Sequence, residues 1–217
     1  MTTQVRVIFN CGSRDSCLDL LDRLLGAKGV NAPMIQASID RGKVIISIYG
    51  TKAEAYRVKA ALMRAYREWT ELRSLERGGG CASINTLVKE VGKPFPREAL
   101  EEVLKELGYV VRRSGDLLCT DADTSTVLSL ASKLSEALDV LVRLKPKSSK
   151  SAKNFLTSLA VLTGAGINEL LRELSEKGVL TEEGPYLRLT GEWRSLLRKV
   201  ILGRRVADED RGKEAYG

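Results

Sequence analysis

The sequence predicts an α+β chain. A βαββα open sandwich comes first, and two small units follow, each a helix that stops at a glycine and turns into a β-hairpin. Three observations carry this reading. Three β-prone runs alternate with two helical patterns over the first third of the chain. Gly78-Gly79-Gly80 and Lys145-Pro-Lys-Ser-Ser-Lys-Ser151 have linker composition. Leu104-Lys-Glu-Leu107 and Leu171-Arg-Glu-Leu174 are each followed by a glycine, an apolar pair, a Gly-containing turn and a strand ending in Thr120 or Thr190, which reads as a degenerate internal repeat. The boundaries expected are 1–77, 81–142 and 150–202, with 203–217 a disordered tail.

Val5–Asn10 is apolar and β-prone, so it opens as a strand. Ser13 or Asp15 caps the helix that follows, with Cys17, Leu18, Leu21, Leu24 and Leu25 on one side, and Gly26 to Pro33 breaks it. Met34–Asp40 and Lys43–Tyr49 form a hairpin about Arg41-Gly42. Thr51 caps a helix to about Leu75, whose inner face takes Ala55, Val58, Leu62, Ala65, Trp69 and Leu72. Beyond the glycines, Ser83–Val91 is a short helix. Pro96 suits the first turn of the next one, whose apolar face is Leu100, Val103, Leu104 and Leu107. Tyr109–Arg113 and Asp116–Cys119 pair about Ser114-Gly115, and Asp123 or Thr124 caps a helix to about Leu141. Ser151–Leu162 is helical. Ile167, Leu170, Leu171 and Leu174 mark the next helix, Gly178 stops it, and Glu183-Gly184-Pro185 turns the last hairpin. Trp193–Leu202 closes the fold with Trp193, Leu196, Leu197, Val200 and Ile201 inward.

Composition narrows the function classes. No apolar run approaches the length of a membrane span and no signal pattern appears, so a cytoplasmic protein without membrane contact is expected. Abundant charge with little Asn or Gln fits a thermophile. The net charge of +7 is uneven. Residues 1–80 carry +5, residues 81–142 carry −3 and residues 143–202 carry +5, so basic outer parts flank an acidic middle. A polyanionic partner fits that pattern, and so does ordinary solubility charge.

The residues speak against an enzyme. With no histidine there is no imidazole base and no histidine-ligated metal, and no cofactor signature is present. Gly164-Ala-Gly166 lacks both the Lys-Ser/Thr of a P-loop and the spacing of a dinucleotide turn. Cys11, Cys17, Cys81 and Cys119 contain no C-x-x-C pair. They read as small buried hydrophobes, with a disulfide open if the host is a hyperthermophile. Cys11-Gly-Ser-Arg-Asp-Ser-Cys17 superficially suggests a thiol-phosphatase loop, but Cys17 stands where that loop needs its arginine. A Cys11-centred enzyme needs an exposed thiol of lowered pKa.

Binding has better candidates. Arg57, Arg64 and Arg67 share one side of the helix after Thr51, with Tyr56 and Tyr66 interleaved as stacking surfaces. Lys145, Lys147, Lys150 and Lys153 lie in a stretch without acidic residues from Asp139 to Glu169, which suits phosphate contacts. Arg194, Arg198 and Lys199 form a third basic group on the closing helix. Each group has a plainer explanation as a solvated face, a soluble linker or helix-end charge. The helices that precede the two hairpins carry Glu98, Glu101, Glu102 and Glu106, and Glu169, Glu173 and Glu176, so neither suits the major groove of duplex DNA.

Resemblances add to this. The helix, glycine, hairpin and Leu-Thr-Gly of Leu162–Thr190 and beyond resemble the C-terminal half of a winged-helix domain. Such domains bind nucleic acid or hold proteins together. The βαββα opening is KH-like or ferredoxin-like, and Ile45 to Trp69 is similar to part of the small dimeric subunit of the tRNA-threonylcarbamoylation complex of archaea and eukaryotes. As a whole, through the βαββα opening, the glycine break, Leu-Gly-Tyr-Val-Val and Glu-Lys-Gly-Val-Leu, residues 5 to 202 resemble an uncharacterised archaeal domain-of-unknown-function family. That resemblance implies no activity and no catalytic residues. The expectation is a non-catalytic nucleic-acid-binding protein that prefers RNA, with no metal. The alternative is a protein-interaction scaffold, supported if an apolar patch is exposed on residues 98–107. A protein partner and a homodimer stay open.

Overall fold

The computed structural model describes residues 3–31, 34–144, 147–184 and 186–214, with backbone alone for 204–214. Lys145, Pro33, Pro185 and the last three residues of the expected tail lie outside the described residues. The chain divides into two compact units, Met1–Ser74 and Leu75–Gly217.

The first unit is the βαββα sandwich. It runs β1 (Thr3–Asn10), α1 (Arg14–Leu25), β2 (Ile35–Asp40), β3 (Lys43–Gly50) and α2 (Lys52–Glu76), the last turn of α2 passing into the second unit. The sheet is antiparallel in the order β1-β3-β2. Strand alternation sends Val7, Phe9, Val44, Ile46 and Ile48 inward, against Leu20 and Leu24 of α1 and Val58, Leu62 and Trp69 of α2. Ser13 caps α1 by accepting from the Ser16 N–H. Thr51 and Glu54 form a reciprocal capping box at α2: the Thr51 N–H donates to Glu54 Oε2 at 2.9 Å, and Glu54 N–H returns to Thr51 Oγ1 at 3.4 Å. Gly42 must be glycine. Its φ is +76°, and a Cβ there would stand 2.5 Å from the Gly12 carbonyl oxygen. That close approach lets the Cys11 and Gly12 N–H groups both donate to the Gly42 carbonyl.

The second unit repeats one element order twice. The first pass is β4 (Gly80–Ser83), α3 (Ile84–Val91), α4 (Arg97–Glu106), β5 (Val111–Ser114), β6 (Leu117–Thr120) and α5 (Thr124–Arg143). The second is β7 (Lys147–Ser148), α6 (Lys150–Thr163), α7 (Ile167–Glu176), β8 (Leu180–Glu183), β9 (Tyr186–Leu189) and α8 (Trp193–Glu214). Each pass makes a three-stranded sheet with its leading strand beside the second hairpin strand, in the orders β4-β6-β5 and β7-β9-β8. They differ in direction: β4 runs antiparallel to β6, whereas β7 runs parallel to β9. Gly178, at φ +66°, ends α7 as read from the sequence, and Val179 N–H returns to the Leu174 carbonyl.

Several features depart from the sequence reading. The residues taken as linkers contribute β4 and β7, short strands held by their neighbours rather than by their own apolar pattern. The stretch 145–151 does not separate compact units, because α6 packs on α4, α5 and α8. Helix α8 runs to Glu214, over residues expected to be disordered. Its inner residues Trp193, Leu197 and Ile201 join Phe155, Leu156 and Leu159 of α6 in one core.

Among the described residues, two buried side-chain hydroxyls, Ser135 on α5 and Ser158 on α6, have no hydrogen-bond partner. An unsatisfied buried polar group costs about 1–3 kcal/mol. Ser158→Ala is therefore expected to raise the second unit's stability by about 1 kcal/mol, read as a rise in the urea midpoint with an unchanged slope. A lower midpoint would show that the hydroxyl is satisfied after all.

Candidate nucleic-acid interface

Helix α2 places one exposed stripe on the first unit. Ala55, Val58, Leu62 and Trp69 turn inward, so the opposite arc carries Tyr56, Arg57, Ala60, Met63, Arg64 and Arg67, all exposed. Tyr56 is 54% exposed and Met63 47%. Among the described residues, no carboxylate lies within ion-pair distance of Arg57, Arg64 or Arg67. Glu54, three residues before Arg57, is bound by Thr51, whose hydroxyl and N–H bonds hold its carboxyl below the ordinary value, with a smaller contribution from the Arg57 charge, and Glu68 and Glu71 lie farther along the same helix. The three guanidinium groups span about 15 Å of helix axis.

Tyr66 is placed otherwise. Its ring lies 4.9 Å from Phe9 and 6.0 Å from Trp69, and its hydroxyl donates to the Asn10 carbonyl. It seals the edge of the core rather than offering a free stacking face. Trp69 donates from Nε1 to Asp19 at 2.6 Å, and Arg73 donates to the Ser16 hydroxyl while stacking on Trp69.

The second unit uses its basic residues differently. Helix α4 presents Glu98, Glu102 and Glu106 on one edge, four residues apart, and α8 presents Arg194 and Arg198 at the same spacing. Arg198 donates to Glu106 at 3.0 Å and to Glu102 at 2.8 Å. Arg194 lies 3.3 Å from Glu102 and 4.4 Å over the Trp193 ring. Lys150, at the start of α6, donates to Glu98 at 2.7 Å, and Asn154 donates to the other Glu98 oxygen at 3.0 Å. The Lys150 hydrogen bond holds the Glu98 carboxyl below its ordinary range despite partial burial, and bonds to Glu106 and Glu102 raise the Arg198 guanidinium. To meet a phosphate, Lys150, Arg194 or Arg198 would first have to leave a carboxylate. Sequence reasoning missed this pairing, although the matching four-residue spacings of acids and bases were visible.

Lys147 and Lys199 are exposed and Lys153 is half-buried, and none of the three has a carboxylate partner among the described residues. Lys145 lies outside the described residues. The cysteines need a correction. They are not free buried hydrophobes but two disulfides, Cys11–Cys17 and Cys81–Cys119. Cys11 therefore presents no thiol for catalysis. The proposed apolar patch on 98–107 is not exposed either: Ala99 through Leu104 are buried, and Leu107 alone of the apolar residues there faces solvent.

No helix among the described residues is long and apolar enough to cross a membrane. No curated protein and no solved structure matches the chain. A family model does, over residues 9–198, so the chain belongs to the family described as an uncharacterized protein conserved in archaea (DUF2067).

Proposed function

We propose that this protein is a non-catalytic nucleic-acid-binding protein of the archaeal cytoplasm, that it prefers single-stranded or structured RNA to sequence-specific duplex DNA, and that α2 carries the main contact. The observation that carries the reading is the exposed stripe of Tyr56, Arg57, Ala60, Met63, Arg64 and Arg67. Arginines without an ion-paired carboxylate among the described residues supply phosphate contacts, and Tyr56 offers a ring for an unstacked base. Lys147, Lys153 and Lys199 form a secondary basic set on the second unit. The preference against duplex reading follows from α4 and α7. Glu98, Glu102 and Glu106 of α4 are tied to α6 and α8, and α7 leads with Glu169 and Glu173, so neither helix suits a groove between phosphate strands.

Fluorescence anisotropy across a salt series tests this with a single-stranded RNA, a structured RNA and a DNA duplex. The combined variant Arg57→Gln, Arg64→Gln and Arg67→Gln is expected to weaken RNA binding at least about tenfold and to lower the salt slope by about 2. Unchanged affinity and slope would remove α2 from the interface. Unmeasurable binding of the parent protein at low salt would end the nucleic-acid reading. The scaffold alternative keeps the sheets of the second unit as a surface, while the apolar face of α4 from Ala99 to Leu104 is buried.

A further inference from the structure

The sheet β4-β6-β5 carries a disulfide on its open face. Cys81 of β4 and Cys119 of β6 are directly opposed in register, and Arg112 of β5 is opposed to Cys119 on the other side. Ala82, Leu118 and Thr120 turn inward and are buried, so Cys81, Cys119 and Arg112 form one row across the outer face. Both sulfur-bearing residues are half-buried and Arg112 is exposed. The row lines a concavity of about 600 Å³ together with Gly79, Val110, Ser114, Thr120 and Asp121. That volume suits a small molecule. Gly79, with no side chain and a φ of +77°, leaves one side open. Asp121 is turned to the rim, where it accepts from the Val110 N–H at 2.8 Å. Arg113 also borders the concavity, and by strand alternation it belongs to the other face.

The second disulfide has none of this access. Cys17 is 0% exposed and Cys11 7%, between α1 and the sheet.

We propose that Cys81–Cys119 is a site of thiol–disulfide exchange for a small thiol that carries an anionic group, and that Arg112 determines both the ligand and the direction of attack. Arg112 recognises the anionic group at the mouth of the concavity and stabilises negative charge on Cys119 as the leaving thiolate. The incoming thiolate RS⁻ attacks Cys81 Sγ. An R–S–S–Cys81 bond forms, the Cys81–Cys119 bond breaks, and its electron pair leaves on Cys119 Sγ. A second thiolate then attacks the R-side sulfur of the mixed disulfide. RSSR leaves, and the Cys81 sulfur takes the electron pair. The two protons of the two thiols end on Cys81 and Cys119, so two electrons pass from two RSH to one protein disulfide. The reverse sequence re-forms it. The site lies wholly in the second unit and is independent of nucleic-acid binding.

The test uses the full-length native protein with reduced glutathione, which bears carboxylates, and with cysteamine, which is cationic. Aliquots are quenched by alkylation and mapped by peptide mass spectrometry. The expected result is alkylation of Cys81 and Cys119 while Cys11–Cys17 stays oxidised, with the trapped glutathione adduct on Cys81. Arg112→Gln is expected to slow reduction by glutathione roughly fivefold and to leave cysteamine nearly unaffected. Reduction of Cys11–Cys17 at the same rate, or no reduction without denaturant, would overturn the site. An adduct on Cys119, or equal slowing of both thiols in Arg112→Gln, would overturn the role given to Arg112.

Discussion

Replacing Cys81 and Cys119 together by serine is expected to lower the unfolding free energy of the second unit by about 4 kcal/mol. The two residues are 38 apart in sequence. A cross-link of that span removes loop-closure entropy from the unfolded chain, and the effect grows with the logarithm of the loop. The bond ties β4, only four residues long, to the middle strand of its sheet. Without it, four residues' worth of ladder must hold the start of the unit against chain entropy. The loss should appear as a fall in Tm of roughly 10 °C. Cys11→Ser with Cys17→Ser makes the control. That bond spans 6 positions, so its loss should cost only about 2 kcal/mol. Calorimetry of the two double variants gives the order directly. A larger loss at Cys11–Cys17 would show that native packing, not loop closure, sets the contribution of these bonds.

Glu102→Ala is expected to lower the second unit's stability by about 3 kcal/mol. The side chain is 1% exposed and its two oxygens serve Arg198 at 2.8 Å and Arg194 at 3.3 Å, with Lys105 at 3.6 Å. Its burial is tolerable because these cations surround it. The two arginines keep 40% and 57% of their side-chain exposure, so they can rehydrate when Glu102 is removed. The converse change is worse for the fold. Arg194→Met with Arg198→Met strands a buried carboxylate beside one lysine, and it should destabilise at least as much as Glu102→Ala. Denaturant midpoints of the three proteins decide this. A neutral Glu102→Ala would mean that the network only balances its own desolvation.

Hydrogen-bonded carboxylates also make the unit acid-sensitive. Glu98 is held below its ordinary pKa chiefly by the Lys150 hydrogen bond, and Asp123 and Glu192 are held down chiefly by the backbone N–H groups of Thr126 and Ser195 at the starts of α5 and α8. A carboxylate with a depressed folded-state pKa contributes stability that is fully present above its unfolded pKa and lost as pH falls through the folded value. Stability of the second unit should therefore be level near neutrality and decline below the ordinary carboxylate range. Lys150→Met should flatten part of that decline, because Glu98 loses the bond that depresses it.

How far the sequence could be read depended on the range of each interaction. The βαββα order was legible because Val7 and Phe9, or Val58, Leu62 and Trp69, repeat at the period of their own element, and a buried face must follow that period. Ser13, Thr51 and Asp123 were legible as caps because the N–H they satisfy lies two or three residues away. Gly178 was legible because a left-handed residue ends a helix locally. The basic stripe of Arg57, Arg64 and Arg67 could be placed on one side of a helix for the same reason. What lay beyond one or two turns was decided by the tertiary structure. Glu102 and Arg198 are 96 positions apart, and only the packing of α4, α6 and α8 brings them together. The same packing sets Lys150, Arg194 and Arg198, candidate phosphate ligands in the sequence, beside carboxylates of α4. Cys81 meets Cys119, and Tyr66 meets Phe9, through strand register and helix docking that no local pattern records. Local periodicity and capping were thus written in the sequence itself. Which charges pair within the fold and which stay unpaired depended on long-range packing, because a charge is neutralised only by the group that packing sets beside it.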